Sequence, residues 1–225
     1  MRFFFYHFYH ALAWTYDFVA AVVSIGRWND WIKVSLPFIQ GARILEIGYG
    51  TGHLQRALWE SSASFTCACG TGAGKPDPKR LLVGLDESRQ MAILAKRRLQ
   101  KAGPAKINLT RGLAQSLPFP AQTFDTVVST FPSEYIFDVR TLSDVSRVLD
   151  DGGRFIVLPA AWIIGRKIRD RLASWLFRVT GETPRNLHEI IASRAVHPLE
   201  NAGFDVEVQE LEIRSSLVMV IVATK

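Results

Sequence analysis

The run Ile44-Leu45-Glu46-Ile47-Gly48-Tyr49-Gly50-Thr51-Gly52-His53-Leu54 constrains this chain more than any other part of it. Ile44, Leu45 and Ile47 read as a short buried strand, and a helical pattern begins at Leu54. Between them, three glycines alternate with Tyr49 and Thr51. Glycine is needed where the backbone turns with positive φ, or where a ligand comes so close that a Cβ would intrude. A strand, such a turn and a helix N-terminus, in that order, predict the nucleotide-cradle geometry of a Rossmann-like sheet. The spacing is G-x-G-x-G, not the G-x-G-x-x-G of dinucleotide enzymes. A glycine-rich turn that binds nothing remains open from this run alone.

The length of 225 residues fits one large α/β domain, or one domain with a helical appendage. A hydrophobic content of 48% supports a substantial core and excludes global disorder. The net charge of +6 and pI near 9.5 point to an anionic partner, either nucleic acid or an acidic membrane surface, and charge does not separate the two. Cys67 and Cys69 stand one residue apart in a breaker-rich stretch, a poor frame for a disulfide, so a reducing cytoplasm is expected. With no third cysteine and no histidine near in sequence, the pair reads as a surface loop and no metal site is expected. The aromatic N-terminus is interrupted by His7, His10 and Asp17. Phe3 to Tyr16 is shorter than the ~20 residues that span a bilayer, so it reads as a leading helix retained on the mature protein.

Along the chain the patterns predict helices over about 4–24 and 28–37, a strand at 42–47, and a helix over 52–61. A small-residue insertion follows at about 61–80. Strands are then expected at 81–85, 107–110, 126–129 and 154–158, with helices over 88–102 and 141–149 between them. A helical stretch from about 160 to 180, another over 187–202, and strands at 205–211 and 217–222 complete the chain. The predicted fold is a mostly parallel, seven-stranded Rossmann-like α/β sheet with an antiparallel C-terminal hairpin. Residues 1–40 form an N-terminal helical cover and 41–225 the main domain.

Asp86, at the end of the second strand, is placed where an acid accepts bonds from ribose hydroxyls; a plain helix N-cap is the alternative. It lies 34 residues beyond Gly52, and the insertion accounts for the excess over the usual spacing. The turn with its preceding Glu46, together with Arg111-Gly112-Leu113-Ala114-Gln115-Ser116-Leu117-Pro118-Phe119, Phe124-Asp125-Thr126-Val127 and Arg147-Val148-Leu149-Asp150-Asp151-Gly152-Gly153, resembles the ordered motifs of class I S-adenosylmethionine-dependent methyltransferases. Tyr16-Asp17, Ser24, Gly26 and Trp31 add a narrower resemblance to the ubiquinone/menaquinone biosynthesis C-methyltransferases, in which this segment covers the cofactor. Leu113 departs from that pattern, since an aspartate commonly bonds the adenine amine there; Phe131-Pro132-Ser133 also replaces an expected asparagine. The resemblance implies S-adenosyl-L-methionine as cofactor, contacted by Tyr16, Glu46, Gly48, Tyr49, Gly50, Thr51, Gly52, Asp86, Glu87, Leu113, Ala114, Gln115 and Ser129. It further implies methyl transfer to a small apolar or amphipathic acceptor, quinone- or lipid-like.

No catalytic base stands out, and His53 reads as shaping a helix start. Ile164, Ile168, Leu172, Trp175, Leu176 and Val179 share one face of a basic helix, which suits a lid over the site or a membrane interface. The expected location is cytoplasmic, with peripheral membrane contact. The alternative function is a catalytically inactive protein that keeps the fold and binds a membrane surface or RNA. RNA is disfavoured because the basic residues spread along helices rather than sharing a face with aromatics. The acceptor and the oligomeric state are not legible.

Overall fold

The structure, a computed structural model, describes residues 24, 26–65, 81–103, 107–164 and 192–225. Among these, eight strands form one sheet: β1 (Arg43–Ile47), β2 (Leu81–Asp86), β3 (Asn108–Arg111), β4 (Phe124–Thr130), β5 (Leu149–Leu158), β6 (Ala161–Ile163), β7 (Asp205–Ile213) and β8 (Ser216–Thr224). β3, β2, β1, β4 and β5 lie side by side and parallel. β8 closes them antiparallel, with β5 and then β6 along one of its edges and β7 along the other. The predicted parallel sheet with a C-terminal hairpin is therefore observed. The hairpin turns through Arg214 and Ser215, both at positive φ (46° and 61°), as a two-residue turn between right-twisted strands requires.

One predicted element changes type. The helix expected from about 160 begins instead as β6, where buried Ala161 and Ile163 flank Trp162 and pair with Ser216–Val218. Pro159 ends β5, while β8 still offers unpaired edge there, so ladder bonds to β8 outweigh the local helical pattern. The rest of that predicted lid, the leading helix over 4–23 and Cys67 and Cys69 lie outside the described residues.

The helices α1 (Trp28–Lys33), α2 (His53–Phe65), α3 (Arg89–Ala102), α4 (Val139–Val148) and α5 (His197–Asn201) cover the sheet. α2 runs to Phe65, so the insertion begins later than residue 61. α4 starts two residues ahead of Thr141, because Asp138 caps it by accepting from the Arg140 N–H at 2.9 Å. Its buried Leu142, Val145 and Val148 share a face at helical spacing. Alternate residues of β4 and β5 feed opposite cores. Val127, Phe155 and Val157 face α4, while Val128 and Ile156 pack with Leu54 and Leu58 of α2.

The amino-terminal edge of the sheet is stapled by Asp125. Its Oδ2 accepts the N–H groups of Ala42 and Arg43, both at 2.8 Å, and its Oδ1 accepts Arg43 Nε at 2.9 Å. Arg43 Nη2 also reaches Asp150 Oδ2 at 2.6 Å. A Cβ on Gly41 would lie 2.3 Å from that of Asp125, so no larger residue fits the crossing. Partial burial raises the Asp125 carboxyl, but the bonds from Arg43 and Ala42 more than offset it and hold the group below its ordinary range. The Phe-Asp-x-Val motif is thus a structural staple at the end of the sheet remote from the glycine turn. Asp125→Ala leaves two backbone donors unpaired and is expected to lower stability by about 2–3 kcal/mol. Urea unfolding checks this; an unchanged midpoint would show that solvent satisfies those donors.

Candidate cofactor-binding site

The turn after β1 carries Gly48, Gly50 and Gly52 at φ of +73°, +51° and +81°. A Cβ on Gly48 would sit 2.6 Å from Tyr135 Oη, and one on Gly52 would sit 3.0 Å from Ala95 Cβ of α3. At Gly50 nothing lies within 4 Å of that position. The middle of the turn therefore faces open space, while its ends are pressed against neighbours.

Beneath the turn, Glu46 pairs in register with Gly84 of β2, and Gly84 pairs with Leu109 of β3. A Cβ on Gly84 would lie 2.8 Å from both Tyr49 Cδ1 and Leu109 Cδ2, and 3.3 Å from Gln55 Nε2. The space left by that absent side chain is filled by the Tyr49 ring and the Gln55 amide, which donates to Val83 O at 3.2 Å. Glu46 and Tyr49 are 1% and 3% exposed, and Glu46 Oε2 and the Tyr49 hydroxyl have no hydrogen-bond partner. Burial pushes the Glu46 carboxyl up to about 8, aided by the nearby Asp86 charge and opposed by bonds from Gln55. Glu46 is therefore mostly neutral at pH 7. Burial first, and then Asp86, also raises Tyr49.

Asp86 reaches back from β2 to the turn. Its Oδ2 accepts the Gly50 N–H at 2.9 Å and its Oδ1 the Ser88 N–H at 2.8 Å. The helix cap is Ser88, whose Oγ accepts from Met91 N at 3.3 Å, so the plain N-cap alternative for Asp86 fails. Burial raises the Asp86 carboxyl, and the two backbone donors oppose that rise. Exposed Glu87 contributes its carbonyl, which Arg111 binds through Nε and Nη2 at 3.2 and 3.1 Å. Arg98 of α3 donates to the Thr51 carbonyl, which pins the end of the turn.

The segment after β3 presents Leu113, 51% exposed, beside buried Ala114 and half-buried Gln115. α4 holds this segment in place. Asp144 accepts the Leu117 N–H, while Arg147 donates to the carbonyls of Phe119 (2.7 Å) and Leu117 (3.0 Å) and pairs with Asp144 at 2.9 Å. Across β1, the buried Ser129 Oγ donates to Ile47 O at 2.8 Å, which ties the carboxyl ends of β4 and β1 together. Phe131 follows with φ +50°, and its ring stands 4.6 Å from that of Trp28.

Twelve of the thirteen predicted contact residues thus gather around the carboxyl ends of β1–β4; Tyr16 lies outside the described residues. Glu46 and Tyr49 lie under the turn rather than on its open face. Gly84, Gln55, Arg98 and Tyr135 were not singled out in the sequence. Gly84 carried a signal, a glycine inside an apolar strand opposite a motif acid. Among the described residues no three His, Cys, Asp or Glu side chains gather as a metal site.

The sequence profile of the ubiE/COQ5 methyltransferase family matches residues 5–189. The chain belongs to this family. A demethylmenaquinone methyltransferase from Symbiobacterium thermophilum is 34% identical over 164 residues, covering 70% of this chain and 59% of that protein. A ubiquinone/menaquinone biosynthesis C-methyltransferase from Geobacter sulfurreducens is 28% identical over 148 residues, 64% of this chain and 52% of that protein. The chain thus spans somewhat more than half the length of these curated relatives. The crystal structure of a SAM-dependent methyltransferase from Aquifex aeolicus superposes with a TM-score of 0.57 at 17% identity, covering 88% of this chain and 92% of that one, which shows the shared fold.

Family and fold imply S-adenosyl-L-methionine as the cofactor, and the ubiE/COQ5-type turn here fits it. Open space over Gly50, where a side chain would intrude, and a carboxylate at the end of β2 are what a nucleoside ligand requires. Asp86, the turn backbone and Leu113–Gln115 would hold it.

Two outcomes follow from this geometry. Gly50→Val puts a branched side chain into the open space and into a positive-φ position, so cofactor affinity should be lost while the sheet persists; wild-type affinity by calorimetry would refute the assignment. Glu46 has a folded value near 8 against an ordinary 4.5. Below about pH 4.5 both folded and unfolded states are protonated and this group adds no pH-dependent term. Between about 4.5 and 8 only the unfolded state ionises, so stability falls as pH rises, and it levels above 8. Glu46→Gln should flatten that fall. Urea midpoints at about pH 5 and pH 8 measure it, and equal slopes for variant and wild type would refute the buried neutral acid.

Proposed function

We propose that this chain transfers a methyl group from S-adenosyl-L-methionine to a quinone-like acceptor, an apolar or amphipathic ring of the kind named for its demethylmenaquinone methyltransferase relative. The bound cofactor supplies an electrophilic methyl on a cationic sulfur. The chain's own contribution is to hold that group, to exclude water and to present the acceptor in line, which can supply much of the acceleration. A protein base is needed only where the acceptor must lose a proton.

The observation that carries the acceptor side is the meeting of two chain junctions at one peptide. Ser215 O, at the tip of the β7–β8 hairpin, accepts from Ile164 N at 2.9 Å and from Arg27 Nη1 at 3.5 Å. Trp28, next to Arg27, forms a partly exposed aromatic pair with Phe131. The segments that precede residue 24 and follow residue 164 therefore depart from the same carboxyl edge of the sheet. This supports a proposed role for those two segments, before residue 24 and after residue 164, as a two-part cover closing an apolar pocket. A membrane-dissolved acceptor would bring peripheral contact with it; among the described residues no helix is long and apolar enough to cross a membrane. The inactive, surface-binding alternative is not favoured by a family of methyltransferases.

Incubation with S-adenosylmethionine and a short-chain demethylmenaquinone should yield a product heavier by one methylene, read by mass spectrometry. Absence of transfer to any quinone-like acceptor, with cofactor still bound, would overturn the acceptor reading. Deleting residues 1–15 is expected to cost turnover or acceptor affinity far more than cofactor affinity.

A further inference from the structure

S-adenosylmethionine differs from its product, S-adenosylhomocysteine, by one methyl group and by the positive charge on sulfur. A methyltransferase gains by telling the two apart, and a group that does so must stand at the sulfur end of the ligand. The strand order β2-β1-β4 fixes which end that is. A nucleoside anchored at Asp86 on β2 and lying over Gly50 would extend its remaining part across the end of β1 toward β4, where the strand order reverses. Asp86 already accepts two backbone N–H groups on the ribose side, and Glu46 lies buried under the turn and mostly neutral. Neither carboxylate is placed to meet a cation at the β4 end.

Tyr135 is placed there. Its hydroxyl stands where a Cβ of Gly48 would come within 2.6 Å, so the oxygen rests against the bare backbone of the turn's first glycine. The ring is carried by a short 3₁₀ segment, Glu134–Phe137, that follows β4. That segment is fixed from several sides. Ile136 is fully buried, the Tyr135 carbonyl accepts from Thr141 Oγ1 at 2.9 Å and Asp138 N at 3.2 Å, and Ile136 N donates to Ser133 O at 3.2 Å. A ring carried on backbone fixed in this way can set a dipole in place before a charge arrives, an arrangement that costs little reorganisation.

We infer that the phenolic oxygen of Tyr135 recognises the sulfonium, its lone pairs facing the cationic sulfur and the polarised methyl C–H bonds. The phenol needs no ionisation for this, since an oxygen dipole and C–H···O contacts act on the charge directly. Glycine at position 48 then has a second purpose, because a side chain there would displace the hydroxyl from the turn. Tyr135 contributes discrimination between substrate and product forms of the cofactor, an effect separate from the acceptor reading, although it rests on the cofactor assignment.

Calorimetric titration of the full chain with S-adenosylmethionine and with S-adenosylhomocysteine, for wild type and Tyr135→Phe, tests this. The variant keeps the ring and its packing. Its affinity for the sulfonium form should fall roughly tenfold, about 1.4 kcal/mol, while affinity for the neutral sulfide changes by no more than about twofold. The ratio of the two affinities is read within one preparation, so a reduced folded fraction cancels. Equal losses for both ligands would assign the hydroxyl to a part they share and overturn the inference. Unchanged affinities for both would make Tyr135 scaffold only and overturn it equally. A wild-type chain that bound neither ligand would instead remove the cofactor assignment itself, and this inference with it.

Discussion

The missing side chain at Gly84 sets the level at which the ligand turn sits. In a parallel sheet, the residue opposite Glu46 on β2 would ordinarily project into the layer between sheet and helices. Here that volume is taken by the Tyr49 ring and the Gln55 amide, one from the turn and one from the helix that follows it. The turn is consequently packed down from below, and its glycines adopt positive φ to accommodate the descent of Tyr49 between them. Asp86 then fastens the middle of the turn from the side. Sheet, turn and first helix share one packing solution, so the cradle cannot shift without opening a cavity under it.

The two ends of the sheet divide the electrostatic labour. At the amino edge, Arg43, Asp125 and Asp150 form a partly exposed cluster that joins β1, β4 and β5 and serves assembly. At the carboxyl edge, ionisable groups are turned inward or committed to backbone: Glu46 is neutral in the core, and Arg98 and Arg111 both hold carbonyls. Arginine suits that role because its planar fork meets several oxygens at fixed geometry. The edge where a ligand would lie is thereby lined largely by backbone, hydroxyls and aromatic rings.

Much of this was legible in the sequence, for reasons specific to each element. Strong periodicity and punctuation by glycine placed the parallel strands and the C-terminal hairpin, and motif order placed Asp86 and the Leu113–Gln115 segment. β6 was missed because Ala161–Ile163 has no strand pattern of its own and is a strand only through the free edge of β8. The start of α4 was read two residues late because its cap, Asp138, stands outside the apolar stripe. The downward aim of Tyr49 was invisible for a similar reason. It depends on the glycine 35 residues further on that happens to face it, and only the register of β1 with β2 brings the two together. Tyr135 lacked any motif; its meaning comes from the distance to Gly48 alone.

The carbonyl of Ser215 is a single acceptor shared by Ile164 and Arg27, on a hairpin tip that none of the sequence motifs includes. The turn, β2 and the segment after β3, proposed to face the nucleoside, share no residue with that tip. Such a division lets the two halves drift at different rates. On the proposed reading, replacements near the hairpin would alter what the acceptor meets, while the half proposed to hold the common methyl donor would stay as it is. A lineage built this way can diversify in what it modifies without renegotiating how it is supplied.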